Sequence, residues 1–311
     1  MNASGTVKTF EFHAVACGAC GSNRFRVLGK RGGEAHRDGN GVLTTIVRCL
    51  DCSHIYPNPM PLPAKGCGDL YEAPDDYFRG HDIEQKKRMG LSRLQEFESA
   101  LGRRGRFLDV GCGRGESLWA ARESGWEHEG VDPSQSYREW GRRHLGVESR
   151  LGTLEDAHFP DDHFDAVSMG GVLEHLYEPY KLLSEVRRVM RPGGLLWFDV
   201  PNEDGLYTRV GNLYMRMLGR DWVVNLAPTF PPFHVQGFNP RSVRTLLGRV
   251  GLEVARLHIG GGVWPPAGEP SLRKQLEYQA ARFVNWIGNR GSAGFYMDIL
   301  ARKPVRPGGT E

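Results

Sequence analysis

The chain has 311 residues, 40% of them hydrophobic and 25% charged, a composition that suits a globular protein with one large domain and a small one. Its 40 basic and 37 acidic side chains leave a net charge of +3, too mild to argue for a nucleic-acid partner from charge alone. No apolar run approaches the roughly eighteen residues of a membrane helix, and the opening MNASGTVKTFEFH lacks the basic-then-apolar order of a secretion signal. A cytoplasmic protein with no membrane partner is therefore expected.

In chain order, the first motif is a pair of close-spaced cysteine couples, Cys17 with Cys20 and Cys49 with Cys52. Strand-like segments 25–28 and 43–48 lie between them, joined by a glycine-rich tip. Two knuckles presented by short hairpins bring four thiolates to one tetrahedral zinc, at about 2.3 Å per sulfur. In a reducing compartment such spacing favours metal over disulfides. Four cysteine ligands leave no open coordination position, so this Zn2+ is read as structural. A module this small needs the free energy of metal binding to fold. Gly21 allows the first knuckle to turn its N–H groups toward sulfur, whereas Ser53 stands at the corresponding place in the second. His54 is read as a polar neighbour of the knuckle. The proline-rich exit through Pro57, Pro59, Pro61 and Pro63 excludes helix and central strand. Residues 1–66 are assigned to this ribbon.

A mixed-charge segment over 83–101 places Met89, Leu91, Leu94, Phe97 and Leu101 at three-to-four spacing, which predicts a helix with one packed face. Then comes RFLDVGCGRGE, a short apolar run holding one acid, Asp109, followed by Gly111, Gly113 and Gly115 and a helical pattern from Glu116. Strand, glycine turn and helix bring backbone N–H groups and a helix N-terminus to a ligand. A second strand over 128–131 ends at Asp132, about twenty residues beyond the turn, where a carboxylate accepts hydrogen bonds from ribose hydroxyls. Further strands are expected over 164–169 and 195–201, with a helix between them, and another over 295–303.

These residues resemble a class I S-adenosylmethionine (SAM)-dependent methyltransferase. The resemblance rests on DVGCGRG, on GVDPS with the ribose acid, on FPDDHFDAVSM for a fourth strand, on VLEHL after it, and on RPGG before a fifth. It is dense over 100–201 and looser to 304. It implies an α/β fold, a Rossmann-like seven-stranded mostly parallel sheet with an antiparallel last strand, behind the small N-terminal zinc ribbon. It also implies SAM as cofactor. Asp109, Gly111 and Gly113 would meet its methionine part, unless Asp109 only braces the loop. Asp132 would hold the ribose, Thr153, Leu154 and Glu155 the adenine, and Met169 and Gly170 would lie near the sulfonium. The segment 67–103 would form a helical linker and cofactor lid, with Tyr71, Tyr77 and Phe78 stacking on adenine, lining the acceptor site or serving the core. A nicotinamide dehydrogenase is disfavoured, because its fingerprint has two residues between the second and third glycines and Glu116 falls where that glycine would stand.

The methyltransferase domain is assigned to 104–304, with insertions at 202–237 and 260–292 read as a substrate cap or an oligomer contact. The first insertion is rich in aromatic residues, the second carries a helix around 272–286, and a further helix spans 240–250. Methyl transfer needs alignment more than it needs a catalytic metal, and positioning of that kind supplies roughly 7–11 kcal/mol in favourable cases. For a hydroxyl acceptor, His175 and His234 are the candidate general bases. The expected partner is a small-molecule acceptor, and fold-plus-context analogy points to a hydroxyl of a sugar or natural-product scaffold. Two alternatives stay open. One is an RNA methyltransferase gripping its substrate through the ribbon, supported by the pairs Arg103-Arg104, Arg142-Arg143 and Arg187-Arg188. The other is a non-enzymatic zinc-ribbon interaction protein with a degenerate Rossmann domain. The oligomeric state is left open.

Overall fold

A computed structural model describes residues 10–64, 82–262 and 272–305. The aromatic residues Tyr71, Tyr77 and Phe78, and the thiol of Cys67, lie outside the described residues. At the N-terminus, β1 (Phe10–His13) pairs antiparallel with β5 (Met60–Pro63). Between them, β2 (Phe25–Arg31), β3 (Thr44–Cys49) and β4 (Ile55–Pro57) form an antiparallel three-stranded sheet. Pro57, Pro61 and Pro63 therefore stand in short strands at sheet edges, where a missing N–H breaks no ladder, and Pro59 lies in the bend between β4 and β5.

The larger body begins with α1 (Ile83–Leu101), capped by the Asp82 carboxylate and closed by Gly102 in the left-handed region. There follow β6 (Arg106–Val110), α2 (Glu116–Glu123), β7 (Glu127–Asp132), α3 (Gln135–His144), β8 (Arg150–Leu151) and β9 (Phe164–Gly170). A single 3-10 turn (Leu173–His175) leads to α4 (Pro179–Val189) and β10 (Met190–Pro201). The chain closes with α5 (Leu206–Met217), α6 (Pro240–Val250), β11 (Glu253–Gly260), α7 (Leu272–Arg290) and β12 (Tyr296–Arg302). The seven-stranded sheet has the order β11-β12-β10-β9-β6-β7-β8. Strands β6 to β10 run parallel, and β12 is antiparallel to both of its neighbours. This is the Rossmann-like α/β methyltransferase fold with an antiparallel terminal strand.

Side chains alternate across the sheet with the period of two that strands impose. Phe107, Ala166, Leu195 and Leu300 face a core shared with Leu94 and Phe97 of α1 and Leu118 of α2. Their neighbours Leu108, Val167, Leu196 and Ile299 face α4, α6 and the ribbon cysteines. Burial on both faces explains why the central strands β6, β9 and β10 are largely apolar. The RPGG phrase is a bulge inside β10 rather than a turn before it. Met190 pairs with Phe164 and the next register position is Leu195 with Ala166. Arg191 on the bulge reaches the buried carboxylate of Asp165, which also takes Arg103 and the Arg106 N–H.

The ribbon is built into the larger body. Ile55 and Gly237 exchange two backbone hydrogen bonds of 2.9 and 2.7 Å. Asn239, the N-cap of α6, donates its amide to the Ser53 carbonyl at 2.6 Å. Fully buried His54 meets the Gln236 side chain at 2.7 Å. Arg48 makes a two-pronged pair with Asp204. Much of the aromatic insertion covers the ribbon: Val223 and Leu226 pack on Ile46 and Ile55, and Thr229 bonds to Val42. No helix among the described residues is long and apolar enough to cross a membrane.

Candidate active site

The carboxyl ends of β6, β7, β9 and β10 converge on one rim. After β6 the backbone enters the left-handed region at Gly111, Gly113 and Gly115, with φ of 68°, 53° and 87°. A Cβ on Gly111 would stand 2.5 Å from Val172 Cγ2, so a side chain there has neither the backbone geometry nor the space. This close approach joins the glycine loop to the segment after β9. Asp132, at the end of β7, accepts from the N–H groups of Gly113 and Ser134, each at 2.8 Å. These bonds fix the orientation of the carboxylate at the rim.

Asp109 lies under the loop rather than on its surface. Its carboxylate accepts from the hydroxyls of Ser168 and Ser117, tying β6 to β9 and to the first turn of α2. Burial pushes it up from 3.8 to about 7. A carboxyl raised on folding stabilises fully only below its unfolded value, and that contribution is lost as pH rises through the folded value. Asp109→Asn, which has no proton to lose, should therefore gain stability relative to the native protein as pH rises from about 4 to 7. Urea midpoints of both proteins at the two ends of that window check this. An unchanged difference would contradict it.

Thr153, Leu154 and Glu155 follow β8. The Gly152 N–H donates to the Asp132 carbonyl at 3.0 Å, and Asp156 accepts from the N–H and hydroxyl of Thr153. Leu154 is buried, while Thr153 is exposed beside Asp132. Met169 is fully buried and Gly170 is exposed at the tip of β9. The structure thus brings Gly111, Gly113, Asp132 and Thr153 to one rim, with Gly170 next along it.

His175 closes the 3-10 turn beyond Gly170, and His234 comes from the distant insertion, yet their ring centroids are 4.8 Å apart. The imidazole of His175 is held by the backbone carbonyls of Pro232 and Phe233. Burial lowers His175 to about 4 and His234 to about 3, so both rings are neutral at pH 7. Sequence reasoning missed their neighbour Glu174, which is 2% exposed. Burial and the nearby Asp199 push its carboxyl up to about 8. Its signal was an acid inside the otherwise apolar phrase VLEHL at a strand end.

The four ribbon cysteines place their sulfurs within 4.8 Å of one another, with Cys17 and Cys52 at 3.5 Å and Cys20 and Cys49 at 3.4 Å. Sulfurs on one tetrahedral zinc, each about 2.3 Å from the metal, would lie at comparable spacing. Backbone N–H groups of Ala19 and Cys20 point at Cys17, that of Ser22 at Cys20, and that of His54 at Cys52. Ser53 adopts a φ of 65°, so the second knuckle makes the same left-handed turn as Gly21 without a glycine. This donor set fits zinc. Of the candidate RNA-gripping arginines, Arg103, Arg104, Arg143 and Arg188 pair with Asp165, Glu98, Glu139 and Glu185. Arg187 bonds the Gly251 carbonyl.

A family model described as a methyltransferase domain matches residues 80–257, more than half of the chain. An uncharacterised 37.1 kDa protein in transposon TN4556 of Streptomyces fradiae is 37% identical over 208 residues, 62% of this chain and 54% of that one. A ubiquinone biosynthesis O-methyltransferase from Thiobacillus denitrificans is 26% identical over 187 residues, 58% of this chain and 75% of the relative. The chain spans about half the length of some of these curated relatives. Among solved structures, a SAM-dependent methyltransferase from Archaeoglobus fulgidus shares the fold. It has a TM-score of 0.50 and 21% identity, covering 76% of this chain and 100% of that one.

Proposed function

The chain belongs to the methyltransferase-domain family, and from that premise we propose that it transfers a methyl group from SAM to a hydroxyl of a small-molecule acceptor. The observation that carries the acceptor reading is the pairing of His175 with His234 beside the tip of β9, two neutral imidazoles drawn from distant parts of the chain. When bound, SAM supplies a methyl group on a positively charged sulfur. The residues for holding it are those of the rim. The glycine-loop backbone at Gly111 and Gly113 receives the amino-acid end, with Asp109 bracing it from below. Asp132 takes the ribose hydroxyls, and the exposed edge of Thr153, with Leu154 and Glu155, frames the adenine. Met169 and Gly170 border the reacting end. His175 and His234 orient the acceptor hydroxyl, and their burial keeps water from competing for the methyl group. Alignment supplies most of the acceleration in such a displacement.

Cys17, Cys20, Cys49 and Cys52 would hold Zn2+ as a structural ion. Through Asn239, Gly237 and Gln236 the ribbon buttresses the loop that carries His234. A sugar or natural-product scaffold working in the cytoplasm remains the favoured acceptor setting, and the ubiquinone-pathway O-methyltransferase relative supports oxygen as the methylated atom. The internal pairing of the arginines weighs against RNA.

The test is a screen of nucleotide sugars, phenols and hydroxylated polyketides for a one-methyl mass gain that requires SAM. The expected result is a gain on a hydroxyl-bearing acceptor. Gain confined to amine-bearing acceptors or to RNA would overturn the reading.

A further inference from the structure

Glu174, His175 and His234 offer one carboxylate oxygen and two imidazole nitrogens that all lie within 4.8 Å of one another. Nε2 of His175 is 4.0 Å from Oε1 of Glu174. Backbone bonds hold the trio in place. The Glu174 carbonyl accepts from the N–H groups of Val235 and Gln236 at 2.9 and 3.0 Å, locking the His234 loop onto the turn that bears the other two. Phe233, next to His234, is held at a φ of 59°, and its carbonyl and that of Pro232 fix the His175 ring. An imidazole oriented by a carbonyl on one nitrogen and turned toward a carboxylate with the other is how metal-ligating histidines are commonly supported. Oε2 of Glu174 is buried with no hydrogen-bond partner among the described residues, and no lysine or arginine among them forms an ion pair with it. A buried polar atom in that state is costly unless a ligand answers it.

We propose that Glu174, His175 and His234 bind a divalent metal ion at the acceptor end of the crevice, and that a hydroxyl of the acceptor completes its coordination. Ligands on one ion, with bonds of about 2.0–2.2 Å, lie roughly 3–4 Å apart, so the trio needs to close by up to about 2 Å. Mixed nitrogen and oxygen donors suit Mn2+, Fe2+, Co2+ or Zn2+. Three protein ligands leave positions open for substrate, unlike the closed four-cysteine site. A hydroxyl bound to such an ion loses its proton far more readily than one in water. Its proton passes to water, the O–CH3 bond forms, and the S–CH3 bond breaks to leave neutral sulfur. The acceptor half of this inference rests on the methyl-transfer reading, whereas the metal half does not.

The test uses the full chain with its ribbon zinc in place and Mn2+ as the probe, because Mn2+ favours oxygen and nitrogen over thiolate. Binding is followed by electron paramagnetic resonance. The expected result is one tightly bound Mn2+ per chain, weakened by at least about 10–100-fold in Glu174→Gln and in His234→Gln, while SAM affinity by calorimetry stays within about threefold in both variants. Asp132→Ala, the companion variant, should keep Mn2+ and bind SAM roughly 5–150-fold more weakly. Equal Mn2+ affinity in native protein and both ligand variants overturns the site, as does a native protein that binds SAM but no Mn2+. A native protein that binds Mn2+ but no SAM overturns the methyl-transfer reading and leaves the metal site standing.

Discussion

Replacing Cys49 and Cys52 together with serine is expected to strip the ribbon of zinc and unfold it. Structural zinc sites hold roughly 10–16 kcal/mol of binding free energy, as much as the roughly 5–15 kcal/mol that stabilises a whole domain. Both cysteines are buried, and their loop provides the Ser53 carbonyl, Ile55 and His54 that grip Asn239, Gly237 and Gln236. The damage should therefore reach the His234 loop. Elemental analysis should read one zinc per native chain and none in the double variant, with amide exchange accelerated over 44–57 and 234–239. Unchanged metal content and exchange would contradict the assignment.

Equally large is the effect expected on turnover from His175→Ala or His234→Ala. Losing a residue that orients the acceptor hydroxyl costs about 10²-fold or more in rate, and neither ring belongs to the cofactor rim, so SAM affinity should be spared. Because burial holds both histidines near 3 to 4, turnover of the native enzyme should not fall between pH 8 and pH 6 through histidine protonation. A histidine at its ordinary value near 6.5 would produce that fall. Full activity in either variant removes that residue from the acceptor site.

The strand, glycine turn and helix from Arg106 onward were legible because each element is local in sequence. The 83–101 and 240–250 helices were legible for the same reason. Asp132 followed from its distance beyond the turn. Features made by distant segments were hidden. Nothing in the order of residues shows that Trp222 to Phe230 would cover the ribbon, or that His234 would be tied by Val235 and Gln236 to the carbonyl of Glu174. The acid in VLEHL was passed over because the phrase reads as a structural turn until the second histidine is placed beside it. RPGG reads as standing before the fifth strand, whereas it lies inside β10, where Arg191 and the bulge serve the buried Asp165.

The central claim is that SAM lies across the ends of β6 and β7 with its ribose on Asp132. Calorimetric titration of SAM into native protein and Asp132→Ala tests it most directly. Removing a charged hydrogen-bond partner costs about 1–3 kcal/mol, so the variant should bind roughly 5–150-fold more weakly with its melting temperature little changed. Equal affinity in the two proteins would place the cofactor elsewhere and contradict the account.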